Sequence, residues 1–252
     1  MPEMTRRHLL ALSAATVILP SAALAQDPGE ILRAAFDNWR ATTSHAVMEM
    51  TIKKDTGTRQ LTLESWTEGD DNALARFTAP ARDAGNATLQ LGRRTYVFNP
   101  RLNQVIQLPA SAMSQSWMGS DFSYNDLAKS DAIITDYTLR LLQTGSSGGR
   151  SFYVIEAVPK RGVPIVWGKQ IVTVRDDYVL MKQDYYDQNG VLVRSMVADR
   201  IGSIGGRPYP VQLTMSTVAT PGQYTRIKTL SAEFDISLPS YLFTRSNLQN
   251  PR

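Results

Sequence analysis

The chain contains no cysteine. Disulfides, thiolate metal sites and a cysteine nucleophile are therefore excluded. Histidine is almost as scarce, and beyond the first 25 residues only His45 remains. A Ser-His-Asp hydrolase would have to use it, and no G-x-S-x-G nucleophile elbow accompanies it. His45 reads instead as an exposed residue where a helix gives way to a first strand. Charge of one sign is missing too: the formal net charge is +4 over 252 residues. With no long Lys/Arg run, nothing points to nucleic acid. No Pro/Ser-rich linker divides the chain, so a single domain is expected.

There is also no long apolar run. Near the start, Arg6 and Arg7 precede "HLLALSAATVIL", Pro20 breaks the run, and "ALA" ends at Ala25. This is the pattern of a secretory signal peptide over residues 1–25, cut near Ala25. The run is too short and too interrupted for a membrane span. "TRRHLL" fits twin-arginine export, and the ordinary secretory route stays open. Loss of Arg6, Arg7 and Glu3 would lower the net charge from +4 to +3. No cysteine follows that could carry a lipid anchor. Residues 26–252 are then one domain of a soluble periplasmic protein, and a domain of that size without disulfides needs a large sheet core.

What is present is mostly period-two alternation. In "DPGEILRAAFDNWRA", Ile31, Leu32, Ala35, Phe36 and Trp39 share a helical face. Asp27 can cap, Pro28 suits the first turn, and Glu30 favours the N-terminus, so a helix is predicted over 28–40. A meander over 46–108 follows, beginning with Met48, Met50 and Ile52 alternating against Glu49, Thr51 and Lys53. Thr56-Gly57 reads as its first hairpin turn. Strands resume at "IITDYTLRLLQTG" and run to "YTRIKTLSAEFDI", with Asn189-Gly190 as the strongest turn signal. "GSSGGR" reads as a long flexible loop, and "LPSYLFTRSNL" as a short turn or helix. The polar second face of several strands predicts an antiparallel sheet with one wet side. About eleven strands in one sheet must curl. The expected architecture is mainly β: a half-open barrel covered by the N-terminal helix and a helical insert near 109–130.

Two acidic groupings and one glycine-rich stretch invite chemistry. Asp121, Asp126, Asp131 and Asp136 recur every five residues. On a helix that spacing turns neighbours apart, and no EF-hand order is present, so no metal site is expected. Asp121 and Asp126 read better as helix-start residues, with Ser120, Asp121 or Ser123 as the cap. Glu64, Glu68, Asp70 and Asp71 could pair for glycoside chemistry, but they lie on an alternating strand and its turn. The glycines of "IGSIGGRPYP" open no helix after a strand, so no nucleotide fingerprint forms. No catalytic group and no cofactor are expected. What remains is Met48, Met50, Met113, Met118, Met181, Met196 and Met215, adaptable side chains that suit core filling or a cavity for variable apolar ligands. A curled sheet too large for one helix to fill leaves such a cavity.

"MGSDFSYNDL" (118–127), preceded by "YVFNP" (96–100), resembles the motif of the LolA-like outer membrane lipoprotein-sorting proteins. "VPK" (158–160), "IGGRPYP" (204–210) and "LPSYLFTRSNL" (238–248) are similar to that family in the same order. The resemblance implies a half-open barrel with helices as a lid, enclosing a hydrophobic cavity. It implies a periplasmic carrier that shields lipid or lipoprotein acyl chains, taking them from an inner-membrane ABC transporter to an outer-membrane acceptor. The chain is longer than the well-studied carriers, and its "MGSDF" belongs to a distant branch whose members resemble partners of RND-type exporters. An accessory protein docking on such a transporter is the alternative reading. Trp117, Met118 and Phe122 are the expected lid or cavity-mouth residues, with Gly119 as hinge and Ser120 and Asp121 as caps. Trp66, Phe77, Tyr96 and Phe98 are the further expected lipid contacts.

Overall fold

The computed structural model describes residues 27–128, 132–163 and 165–252. The expected signal peptide and Asp131 lie outside them. Helix α1 (Pro28–Arg40) forms over the predicted residues. The Asp27 side chain accepts from the Gly29 backbone N–H at 2.8 Å, and Pro28 occupies the first turn, where no donor is needed. Ile31, Leu32, Ala35 and Phe36 are buried. Each large side chain among them contributes about 1.5–3 kcal/mol by leaving water.

All strands join one antiparallel sheet. Its first half comprises β1 (Thr43–Lys54), β2 (Gly57–Glu68), β3 (Asn72–Ala79), β4 (Ala87–Leu91), β5 (Arg94–Asn99) and β6 (Gln104–Gln107). The second comprises β7 (Tyr137–Ser147), β8 (Arg150–Pro159), β9 (Lys169–Arg175), β10 (Leu180–Tyr186), β11 (Leu192–Ile204), β12 (Arg207–Thr217) and β13 (Tyr224–Phe234). The spatial order is β6-β5-β4-β3-β2-β1-β13-β12-β11-β10-β9-β8-β7. Thus one meander runs outward to β6, and residues 108–136 carry the chain to the far edge. A second meander returns until β13 pairs with β1. The sheet curls without closing, and the insert links its two free edges.

Several expectations need correction. Thirteen strands form rather than about eleven, because even the four-residue β6 pairs separately with β5. Ile133 and Ile134 belong to a short helix, α3 (Ala132–Thr135), and the strand begins only at Tyr137. "GSSGGR" is no long loop. Gly148 and Gly149 both take left-handed φ and make a two-residue turn, with Ser147 opposite Arg150. Gly145 faces Phe152, where a Cβ would meet the ring at 2.4 Å.

The sheet has two cores. On the concave side, Met50, Leu61, Leu63, Phe77, Ile155, Val172 and Met215 pack beneath α1 and the insert. One side of the sheet is expected to be wet, yet on β3–β5 the outer face is also buried. Leu74, Ala87, Leu89, Tyr96 and Phe98 pack against Leu242 and Leu248 of the C-terminal segment. There α4 (Arg245–Gln249) is capped by Thr244, whose Oγ1 accepts from the Asn247 N–H. Arg76 donates to the carbonyls of Asn247 at 2.8 Å and Leu248 at 3.2 Å, tying that segment to β3.

Candidate functional site

A cavity of about 280 Å³ lies between the concave face, α1 and the insert. Strand alternation explains its existence. The inward positions of β1–β3 carry small side chains, among them Ser44, Ala46, Ser65, Thr67, Ala73 and Ala75. Between Ala73 and Ala75, Leu74 packs in the outer core. Short groups therefore face the ligand space, and larger ones face the C-terminal segment. The opposite wall is bulkier, with Phe36 and Trp39 of α1, Met196, Ile165, Trp167 and Tyr185.

The insert forms the cover. Ser116 and Ser123 make an isolated antiparallel bridge, which closes the loop between them. At its tip Met118 (φ 54) and Gly119 (φ 78) both take left-handed φ. Glycine satisfies this without strain. Trp117 is 2 % exposed, donates its indole N–H to Thr88 Oγ1 at 3.1 Å, and tilts against Phe77 at 5.2 Å. Trp117 and Phe122 line the cavity. Phe77 stands behind Trp117, within the inner core. Met118 packs half-buried on that core, and its carbonyl accepts from Arg59.

Trp66, Tyr96 and Phe98 are not in the cavity. They belong to the outer core, and Trp66 stacks on His45 with ring centroids 4.9 Å apart. Their bulk suggested a ligand wall, but their strand phase is opposite to that of Ser65, Thr67 and Thr95, which face inward. His45 is half-buried rather than exposed, and its Nε2 lies 2.9 Å from Glu64 Oε2.

Neither Ser120 nor Asp121 caps the helix. Helix α2 (Tyr124–Ala128) starts after Ser123. Asp126 Oδ2 accepts from the Ser123 backbone N–H at 2.7 Å, and the Asp126 N–H returns to Ser123 Oγ. This is a reciprocal capping box. Asp121 instead anchors the loop, with Lys54 Nζ 2.6 Å from Oδ1 and Thr225 Oγ1 2.7 Å from Oδ2. Ser120 Oγ accepts from the Phe122 N–H within the loop. Among the described residues no group of three or more His, Asp or Glu side chains is arranged to hold a metal.

Asp126 has a second role. Both its oxygens meet the guanidinium of Arg194 on β11, Oδ2 at 2.9 Å from Nη1. Arg194 lies over the rings of Tyr185 at 4.3 Å and Trp167 at 4.7 Å, and also bonds the Asp121 carbonyl. Burial drives the Tyr185 phenol far above its usual range, with the Asp126 charge adding to the effect. Nearby, Gln183 donates to Gln170, which donates to the Tyr137 hydroxyl at 2.6 Å. Burial pushes the Tyr137 phenol up to about 12. The cavity is thus mainly apolar, with polar groups on both walls, among them Ser65, Thr67 and Gln90 on one and Gln170 and Gln183 on the other. Sequence reasoning missed Arg194, Gln170, Gln183, Trp167 and Tyr185. A signal existed: Arg194 is in phase with Met196 and Ala198, and Gln170 with Val172 and Val174, so each is a polar residue on an inward face.

A model of a family of uncharacterized proteins matches residues 69–250. No curated protein matches. Among solved structures, a DUF1329 family protein from Desulfovibrio piger aligns with a TM-score of 0.79 and 23% identity, covering 88% of this chain and 99% of that one. An outer membrane lipoprotein-sorting protein domain from Vibrio parahaemolyticus aligns with a TM-score of 0.77 and 22% identity over 88% and 98% of the two chains. A LolA superfamily protein from Nitrosomonas europaea gives 0.71 and 22% over 87% and 98%. The chain belongs to the family whose model spans residues 69–250, and it shares its fold with these LolA-like structures.

Proposed function

We propose that this protein is an exported, periplasmic carrier that holds lipid or lipoprotein acyl chains non-covalently. The observation that carries this reading is the cavity beneath the insert, walled by Trp117, Phe122, Met48 and Met196 and capped by a segment that joins two free sheet edges. Each methylene taken from water contributes about 0.8 kcal/mol, so a single chain segment supplies useful affinity without any catalytic group. The cavity of about 280 Å³ sits at the small end of ligand sites, roughly 300–1,000 Å³. A multi-acyl cargo therefore needs the insert to move outward. The lipoprotein-sorting description of one structural neighbour supports this cargo class. Cargo would come from an inner-membrane transporter of the ABC or RND type and pass to an outer-membrane acceptor.

The test is direct. Protein purified from its native periplasm is analysed by native mass spectrometry and titrated with a fluorescent fatty acid. Co-purified lipid and saturable binding, displaced by unlabelled fatty acid, are expected. A ligand-free spectrum together with no saturable binding would sink the reading.

A further inference from the structure

The two ends of the barrel differ in the side chains they present. At one end lie the loops 55–56, 80–86, 100–103, 160–163 with 165–168, 187–191 and 218–223. These loops carry Leu102, Val166, Val191 and Val218, exposed by 62%, 59%, 59% and 55%. Among the described residues, the turns at the other end (69–71, 92–93, 148–149, 176–179 and 205–206) expose only one large apolar group, Tyr178.

Cations accompany the apolar tips. The apolar end has exposed Arg82, Arg101, Lys160 and Arg161. Its acids are engaged locally: Asp55 accepts from Gln223, Asp83 pairs with Arg59 and Arg82, and Asp187 accepts from the backbone of Asn189 and Val191. The opposite turns carry Asp70, Asp71, Asp176 and Asp177, but Arg33 and Arg40 pair with Asp70, and Arg150 and Arg175 pair with Asp176 and Asp177.

The loops are also tied into a continuous rim. Gln223 reaches Asp55 at 2.8 Å, the Val218 N–H bonds the Val193 carbonyl, and Gln188 donates to the Val166 carbonyl. Val166 and its neighbour Trp167 line the cavity, so this rim is continuous with the ligand space.

We propose that this rim docks on an anionic lipid bilayer, with Leu102, Val166, Val191 and Val218 entering the headgroup boundary and Arg101, Lys160 and Arg161 meeting lipid phosphates. Aliphatic tips set among Arg and Lys suit an interfacial membrane contact. Protein interfaces favour Tyr, Trp and Met, which the exposed tips lack. Among the described residues, the turns of the opposite end lack such aliphatic tips. Docking in this orientation places the cavity against the source of acyl chains, and so the proposal extends the carrier reading by naming the surface that this rim meets.

The test is sedimentation of the purified protein with phosphatidylglycerol or phosphatidylcholine vesicles. Loading on phosphatidylglycerol is expected to exceed that on phosphatidylcholine and to fall with added salt. R101E and R161E should each weaken it about fivefold, and the combined L102D/V191D/V218D variant at least about tenfold. Fatty-acid binding in solution should equal that of the parent in all three, which also reports that they fold. Equal loading on both lipids, or unchanged loading of the aspartate variant, overturns the proposal. So does fatty-acid binding without vesicle loading, which assigns the rim to a protein donor. Vesicle loading without fatty-acid binding supports the rim and fails the cavity reading instead.

Discussion

Asp126 in the insert and Arg194 on β11 form a two-pronged ion pair beneath the cover of the cavity, with side chains only 11% and 8% exposed. The pair joins a short helix of the crossing segment to the wall of the barrel, and the Trp167 and Tyr185 rings flank it. It is a charged, directional link between lid and barrel. The guanidinium also touches the Asp121 carbonyl, so one cation holds two turns of the insert.

Breaking one side of this pair leaves a buried charge without its partner, which costs about 3–5 kcal/mol. Asp126→Asn should therefore loosen the insert, seen as faster amide hydrogen exchange over residues 113–128 and faster fatty-acid release. Replacing both partners with apolar groups, as D126L/R194M, should restore much of the protection, because the desolvation cost disappears with the charges. Equal exchange in the single and double variants would contradict this role.

Trp117 and Trp66 should separate the two cores functionally. Trp117→Ala removes a cavity wall, the bond to Thr88 and the contact with Phe77. About 3–5 kcal/mol of stability should be lost, and fatty-acid affinity should fall with it. Trp66→Ala should lower stability while leaving affinity within about a factor of two, since the ring lies over His45 on the outer face. Urea unfolding and fluorescence titration measure the two quantities independently.

Leu248 is fully buried under the outer face of β3–β6. Leu248→Ala should cost about 2–5 kcal/mol without changing ligand affinity. A matching loss of affinity would show that the C-terminal segment shapes the cavity through the sheet.

Alkaline pH should unfold the protein through its buried phenols. Tyr137 and Tyr209 are pushed up to about 12 by burial, against an ordinary value of about 10. The native state then holds protons that the unfolded chain releases, so stability falls as pH rises between about 10 and 12. The slope is about 1.4 kcal/mol per pH unit for each tyrosine. Tyr209→Phe should flatten that slope by one proton in urea titrations across this range.

Most strands were legible because alternation is a local property. The sequence around Met48, Met50 and Ile52 states its own period, and β1 follows it. The Asp27-Pro28 start of α1 was legible for the same reason. The insert was readable only in part. Its aromatic residues drew notice, and Trp117 and Phe122 do line the cavity. Its cap was misplaced, because Ser120, Asp121 and Ser123 are chemically interchangeable at a helix start until the chain's path selects one. Ile133 and Ile134 are β-formers by composition, and the connection from α2 to β7 overrides that preference.

By itself the sequence determined the class of the fold, through its period-two pattern, its turn residues and the single amphipathic helix that opens the described chain. It also excluded thiol chemistry outright. Tertiary structure alone decided which face of each strand is inside. Alternation defines two faces and names neither, and here both faces of β3–β5 are covered. Docking of residues 238–252 on the outer face drew Tyr96, Phe98 and Leu89 outward. The small residues Ala73, Ala75, Ser65 and Thr67 were thereby left to line the cavity. The space for a ligand is set by that choice of side, which depends on contacts between segments more than a hundred residues apart, such as Arg76 with Asn247.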